Sequence, residues 1–456
     1  ALRPLPGADV TETFADELAH FRRDNPRVEA TEVFVIDTNG IARGKLIPAE
    51  MLDKLAEGGM RLPTSTLALD IFGSDTEEAG VAIERGDPDG VLVPVPGSLA
   101  PLPWAERPTA QVQVQVLEPD GSPCPYDPRQ VLSRVIDRAE DRGLTPVMAL
   151  ELEFYLIDAD RPAPPAGPGG ALVEAQIYEM EVIRAFDPIL SEIAEAARTL
   201  GAPVETAIAE FGHGQFEINL CHGPDALAAA DDMVVLKRAI RGVARARGLD
   251  ASFMPKPFGD MAGSGQHLHL SLLDDNGRNV LAGNEGASTP ARHAIAGLLQ
   301  AMPDCMLTFA PHANSYRRLA PGMYAPIVAA WGEDNRGVAV RMPETAGKGA
   351  RIEHRTAGSD ANPYLVAASV LAGALAGLEA KAEPPPPVAS EAGTDHGPPL
   401  PLSWWAAEQA FSESAFVAEW LGPEFQHVYG AQKRSERAKL LARVPETELS
   451  LYLRRV

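Results

Sequence analysis

Cysteine is scarce in this sequence, with only Cys124, Cys221 and Cys305. Three residues, odd in number and far apart, exclude a disulfide framework and a cysteine zinc site. They fit a reducing, cytoplasmic compartment. Positive charge is in deficit: 40 Lys+Arg stand against 63 Asp+Glu, a net charge of −23. With no basic run, the chain is a poor partner for nucleic acid or an anionic membrane surface. Long hydrophobic stretches are missing too. The longest mostly apolar run, residues 365–378, is too short to span a bilayer and reads as a buried helix. Residues 1–6 lack the apolar core of a signal peptide. No repeat recurs at a fixed period.

What remains is a globular composition, 45% hydrophobic and 23% charged over 456 residues. At roughly 100–200 residues per domain, that length predicts two to four domains, or one large fold with an appendage. Helical periodicity runs from about Val10 to Arg23. Val33-Phe34-Val35-Ile36 reads as a strand and Asp37-Thr38-Asn39-Gly40 as its turn. Residues 111–116 alternate strictly between Gln and Val, the pattern of a half-buried strand. Asp127-Pro128 opens a helix with a carboxylate cap and proline in its first turn. A boundary near residues 112–126 separates a small N-terminal unit, 10–118, from a larger one, 119–456. The Pro/Gly-rich stretches 161–170 and 383–388 read as exposed connectors.

Four segments carry the chemistry. In Met148-Ala149-Leu150-Glu151-Leu152-Glu153-Phe154, two glutamates at i and i+2 share one face of an otherwise apolar strand. Two carboxylates so placed repel each other unless a cation or donor compensates. Glu217 and Asn219 repeat the pattern, with Glu210 before a Gly-containing turn that can return it to the same place. His267, His269 and Ser271 form a polar row behind Gly263-Ser264-Gly265. Arg351, Glu353 and Arg355 form another. Four strands with one polar face each suit a barrel or strongly curved sheet around a wet site. Carboxylates with histidine and no thiolate point to hard divalent ions, Mg²⁺ or Mn²⁺. Several glutamates in one cavity favour more than one ion, as in sites that clamp a transferring phosphoryl group. Arg317, Arg318, Arg336, Arg341, Arg351 and Arg355, clustered near glycines and prolines, supply the fixed positive charge that a phosphate site needs.

These motifs, in this order, resemble the glutamine synthetase superfamily. The carriers are Glu-Leu-Glu-Phe-Tyr-Leu at 151–156, Glu210 through Glu217, Lys256-Pro257 with Gly-Ser-Gly-Gln-His-Leu-His at 263–269, Asn314-Ser315-Tyr316-Arg317-Arg318, and Arg351 through Leu365. The nearest likeness within it is the glutamate–putrescine ligase branch. The resemblance implies an α+β fold: an N-terminal β-grasp-like domain and a catalytic domain with a curved antiparallel sheet and flanking helices. It also implies a homo-oligomer of stacked hexameric rings. By the same likeness, Glu153, Glu210 and Glu217 correspond to the ligands of one metal, and Glu151, His267 and Glu353 to those of another, with two or three ions per site. Gly263, Arg318 and Arg355 correspond to the glutamate pocket. His269, Ser271, Arg336, Arg341 and Arg351 correspond to ATP contacts, and Arg318, Arg336 and Tyr324 to the catalytic positions.

The implied reaction is ATP-dependent joining of the glutamate γ-carboxylate to an amine through γ-glutamyl phosphate. Departures from glutamine synthetase proper bear on which amine. Pro321-Gly322-Met323-Tyr324 puts tyrosine where that enzyme has the glutamate of its ammonium site. An aromatic ring there suits an alkyl amine better than a small cation. The Asp-Gly-Ser-Ser motif is absent; Leu69-Asp70-Ile71-Phe72-Gly73 stands in its region, and whether Asp70 takes over is open. The expectation is an organic amine, putrescine or another polyamine first. Monoamines, ethanolamine, ammonium and a non-catalytic relative remain as alternatives.

Overall fold

A computed structural model of the chain describes residues 13–165, 175–284, 286–390, 392–393 and 395–456. The expected helix start at Val10, the connector residues 166–170 and the N-terminal residues 1–6 lie outside this set. The first helix, α1 (Phe14–Asp24), starts from a capping box in which Thr13 and Asp16 satisfy each other's free groups. The strands β1 (Ala30–Ile36), β2 (Ala42–Pro48), β3 (Arg61–Pro63), β4 (Asp89–Pro94), β5 (Ala100–Pro101) and β6 (Thr109–Leu117) build a six-stranded sheet. The hairpin β1–β2 turns over Asp37–Gly40, and β1 runs parallel to β6, with the short helix α2 (Leu52–Ala56) in the crossover.

The second sheet has eight strands: β7 (Leu144–Asp158), β8 (Val204–Ala209), β9 (Gln215–Leu220), β10 (Leu249–Ser252), β11 (Gln266–Asp274), β12 (Trp331–Glu333), β13 (Val340–Glu344) and β14 (Arg351–His354). Their order is β12-β13-β14-β11-β7-β9-β8, with β10 on the far part of β7. Pairing is antiparallel, as expected, except between β12 and β13 at the edge, which run parallel. Helices α3 (Pro128–Glu140), α4 (Met180–Thr199), α5 (Ala226–Ala246), α6 (Thr289–Phe309) and α8 (Pro363–Ala380) cover the sheet, and the one-turn helix α7 (Ser315–Arg318) lies between the last two. Asp127 caps α3 as expected, accepting from the Arg129 N–H.

Helix α8 holds the apolar run noted above. Among the described residues it is the one helix long and apolar enough to cross a membrane, but most of its surface is buried inside this fold. It lies against α6 where Gly297, Gly373 and Gly377 let the two backbones meet. After it come α9 (Trp404–Glu413), α10 (Ala415–Trp420), α11 (Pro423–Leu441) and α12 (Glu446–Tyr452).

Strand β6 corrects the sequence reading. Its glutamines are buried, not wet, because α5 and α8 pack over them. Gln113 donates to Asp231 (3.1 Å) and to the Tyr364 hydroxyl (2.7 Å). Gln111 accepts from Arg238 (2.9 Å). Asp231 in turn holds the buried Arg129 at 2.9 Å. Strict alternation shows that the two faces differ, but a polar face can meet another polar surface as well as water. Helix α11 reaches the loops of the first sheet from the other end. Its fully buried Lys433 and Glu436 pair with each other at 3.0 Å, and Glu436 accepts from Asn39 and from the Ile71 N–H, both at 2.8 Å.

Candidate active site

Register places the acidic row. Across the β7–β9 pair, Glu153 stands opposite Glu217 and Glu151 opposite Asn219. Across β7–β11, Glu151 stands opposite His267. Across β11–β14, His269 faces Glu353, and across β13–β14 Glu353 faces Arg341. Alternation puts all of these on one face, while Leu150, Leu152, Leu268, Leu270 and Ile352 fill the core on the other.

Two triads of potential metal donors result, Glu151–Glu217–His267 and Glu151–His269–Glu353. Glu151 is common to both. Its Oε2 lies 3.2 Å from His267 Nδ1 and its Oε1 lies 2.9 Å from His269 Nε2. The second nitrogen of His269 accepts from Arg351 Nε at 3.3 Å. Because guanidinium can only donate, the His269 proton sits on Nε2 and faces Glu151. That makes His269 a donor to a carboxylate here rather than an open lone pair. Glu153 accepts from the Gly265 N–H at 2.7 Å and lies 3.9 Å from His267 Nε2.

The electrostatics follow from crowding. Burial, then repulsion from Glu151, Glu153 and Glu210, pushes the Glu217 carboxyl up to about 10. Burial, then Glu153, raises Glu210 to about 7. Glu151 moves the other way: burial opposes its ionisation, but the hydrogen bonds to His267 and His269 outweigh it. At Glu353, too, burial is overcome, by Arg355 and the two histidines, and the group is held at about 2. Carboxylates gathered this closely, part of them refusing to ionise, lack the positive charge a bound cation would supply. The donor set fits a hard divalent ion.

Arginines close the other side. Glu353 is gripped by Arg341 Nη1 at 2.7 Å and by Arg355. Arg341 also pairs with Asp334 at the mouth, a residue the sequence reading did not single out. Arg336 is exposed, close enough to Glu210 to lower its pKa against the other effects. Arg318 is buried and meets only carbonyls, Thr356 O at 3.0 Å and Arg355 O at 3.3 Å. No carboxylate pairs with it among the described residues. A Cβ on Gly263 would stand 2.8 Å from Arg318 Cγ, and one on Gly265 would stand 2.5 Å from its Nη2. Both positions must stay bare for the guanidinium to occupy its slot. Ser271 donates to the Ala350 carbonyl at 2.8 Å.

Two positions stand apart. Tyr324 is on an exposed turn with φ +51° and 78% of its surface open. Asp70 is fully buried and spent on its own loop: it accepts from the Phe72 and Ser74 N–H groups, each at 2.9 Å, and pairs with Lys439. It is not free within its own chain to receive a cationic substrate.

Comparison with known proteins adds an independent line. The glutamine synthetase catalytic domain matches residues 125–452. This chain belongs to the glutamine synthetase family. It is 39% identical to gamma-glutamylputrescine synthetase PuuA of Escherichia coli (strain K12), over 97% of this chain and 95% of that one. It is 32% identical to glutamate–isopropylamine ligase of a Pseudomonas species, over 93% and 95%. The solved GmaS/ADP complex is 30% identical and superposes with a TM-score of 0.84, covering 96% of this chain and 99% of that one. The enzyme is therefore a ligase of the glutamine synthetase type with the α+β fold of that family, a family that works with ATP and divalent metal.

Proposed function

We propose that this enzyme joins the γ-carboxylate of glutamate to an organic amine, with putrescine or another polyamine as the preferred partner. The observation that carries the reading is the convergence of Glu151, Glu153, Glu210, Glu217, His267 and Glu353 beside Arg318, a buried guanidinium without a carboxylate. The names of the relatives above support an amine rather than ammonium. Two or three divalent ions, Mg²⁺ or Mn²⁺, would be held by Glu153, Glu210 and Glu217 and by Glu151, His267 and Glu353. When bound, they supply charge neutralisation for phosphoryl transfer.

The chain's own groups do the rest. Arg318 and Arg355 hold the carboxylates of glutamate in the slot left open by Gly263. Arg336, Arg341 and Arg351 take phosphate oxygens of ATP, with His269 and Ser271 toward the nucleotide. A γ-carboxylate oxygen attacks the γ-phosphorus, ADP leaves, and γ-glutamyl phosphate forms. The amine nitrogen, delivered uncharged by loss of a proton to a nearby carboxylate, attacks the acyl carbon. Arg318 and Arg336 stabilise the oxyanion before phosphate departs. Tyr324, exposed in the isolated chain, is the ring expected beside the amine's alkyl portion.

The catalytic unit 119–456 and the N-terminal unit 10–118 are taken to assemble as stacked hexameric rings in the cytoplasm. Purified enzyme with ATP, Mg²⁺ and glutamate should release phosphate faster with putrescine than with ammonium, isopropylamine or ethanolamine. Tyr324→Glu should shift that ranking toward ammonium. Ammonium leading in the unmodified enzyme would defeat the amine assignment.

A further inference from the structure

Arg318 sits on α7, a single turn of four residues. One turn does not hold itself in water, because nucleating a helix costs more than its first bond returns. Something else must fix the backbone that aims this guanidinium. Ser315 Oγ donates to Asp360 Oδ2 at 2.6 Å, and His312 Nδ1 lies 2.8 Å from the same oxygen. The His312 N–H donates back to Ser315 Oγ at 3.0 Å. Asn314 reaches the other way and brackets the Lys256 backbone, accepting from its N–H at 2.9 Å and donating to its carbonyl at 3.0 Å.

Asp360 belongs to the segment that leaves β14, and that segment is itself anchored. The Gly358 N–H donates to Phe309 O at 3.0 Å, the Ser359 N–H to Ser264 O at 3.1 Å, and Ser359 Oγ to Phe253 O at 2.9 Å. Within six residues the same stretch grips Arg318 twice. The carbonyls of Arg355 and Thr356 take its guanidinium, and the Asp360 carboxylate takes the first turn of its helix. Among the described residues, the second oxygen of Asp360 and Nε2 of His312 are buried without a partner, so this cluster carries a desolvation cost that hydrogen bonding does not fully offset. A cluster retained only for packing would be better served by apolar side chains.

We propose that Asp360, acting through Ser315 and His312, is the positioning residue for Arg318 and thereby sets the affinity for glutamate. It touches no substrate itself. The inference rests on the reading of Arg318 as a glutamate ligand given above.

The test uses the full chain. Glutamate affinity is measured by calorimetry with Mg²⁺ and a non-hydrolysable ATP analogue, and KM and kcat by phosphate release with putrescine. Asp360→Ala should weaken glutamate binding about tenfold and Ser315→Ala about threefold, with KM for ATP within about twofold; kcat falls as well, since Arg318 also faces the oxyanion. In Arg318→Gln, which should lose about a hundredfold or more, adding Asp360→Ala should cost little further. If Arg318→Gln leaves glutamate binding intact, the parent reading of Arg318 fails. If it weakens binding while both Asp360→Ala and Ser315→Ala do not, the positioning role is overturned. A loss of ATP affinity equal to that of glutamate would assign Asp360 to the fold of the whole site and overturn the positioning role. Should Asp360→Ala not fold, Asp360→Asn and Ser315→Ala decide by the same split.

Discussion

Glu217 and Glu151 are the same residue type on facing strands, yet their protons behave oppositely. Glu217 is surrounded by carboxylates and pushed up to about 10, whereas Glu151 has two imidazoles and stays ionised. The sign for stability follows. Glu217, Glu210 at about 7 and Asp232 at about 8, raised by burial and then by Asp231 and Asp225, bind protons more tightly folded than unfolded. Their contribution is fully present below the ordinary carboxylate range and is lost as pH rises through those values. The metal-free protein should therefore melt at a lower temperature at pH 8.5 than at pH 6. A divalent ion must displace the protons of Glu217 and Glu210, so its affinity should rise over the same interval. Scanning calorimetry with and without Mg²⁺ checks both: the Tm gain from Mg²⁺ should be larger at pH 8.5. Equal gains at the two values would mean that these carboxyls do not hold the ion.

At the scale of elements, the crossing of α6 and α8 supports the sheet from behind. A Cβ on Gly377 would stand 2.6 Å from the Gly297 nitrogen, and one on Gly297 would stand 2.5 Å from the Gly377 Cα. Glycine inside a helix costs up to about 1 kcal/mol against alanine. Overpacking against backbone that cannot yield costs about 1–3 kcal/mol or more. The second effect wins. Gly297→Ala and Gly377→Ala should each lower the Tm, despite the better helix propensity. A rise in Tm would show that the two helices can separate freely. The pairing of β6 with α5 and α8 is of the opposite kind, polar and directional. Arg129→Met would leave Asp231 buried without its main partner and should cost about 3–5 kcal/mol in a denaturant titration. A loss below about 1 kcal/mol would show that Asp231 finds other compensation there.

For the whole molecule, the notable feature is apolar surface left open at the C-terminal end. Leu440, Leu441, Val444, Leu449, Leu451, Tyr452 and Leu453 are all exposed, and every residue of α12 is on the surface. Exposed apolar side chains along one segment suit an association surface, which supports the stacked-ring assembly proposed above. A chain ending at Arg443 should form a smaller assembly by light scattering while each subunit keeps its fold. An unchanged mass would remove this segment from the interface. The charge of −23 agrees with attraction of a polycationic amine, an effect that salt should weaken.

Much of the site was legible in the sequence because its signals are local. Glutamates at i and i+2 in an apolar run can only share a strand face, and the rows at 151–153, 217–219, 267–271 and 351–355 do so in the fold. Asp127-Pro128 opened its helix for the same reason: a cap needs only its immediate neighbours. What the sequence could not decide was what lies across from each face. Glutamine–valine alternation in β6 said that one side is polar, but only packing decided that Asp231, Tyr364 and Arg238 meet it in place of water. The role of Asp70 was open in its motif, and the fold spends it on two N–H groups and Lys439. His312 carried no signal at all until the chain brought it to Asp360, 48 positions away. Spacing along a chain determines which way side chains point; their partners, and hence their charge states, are set by segments distant in sequence, and those only the tertiary structure brings together.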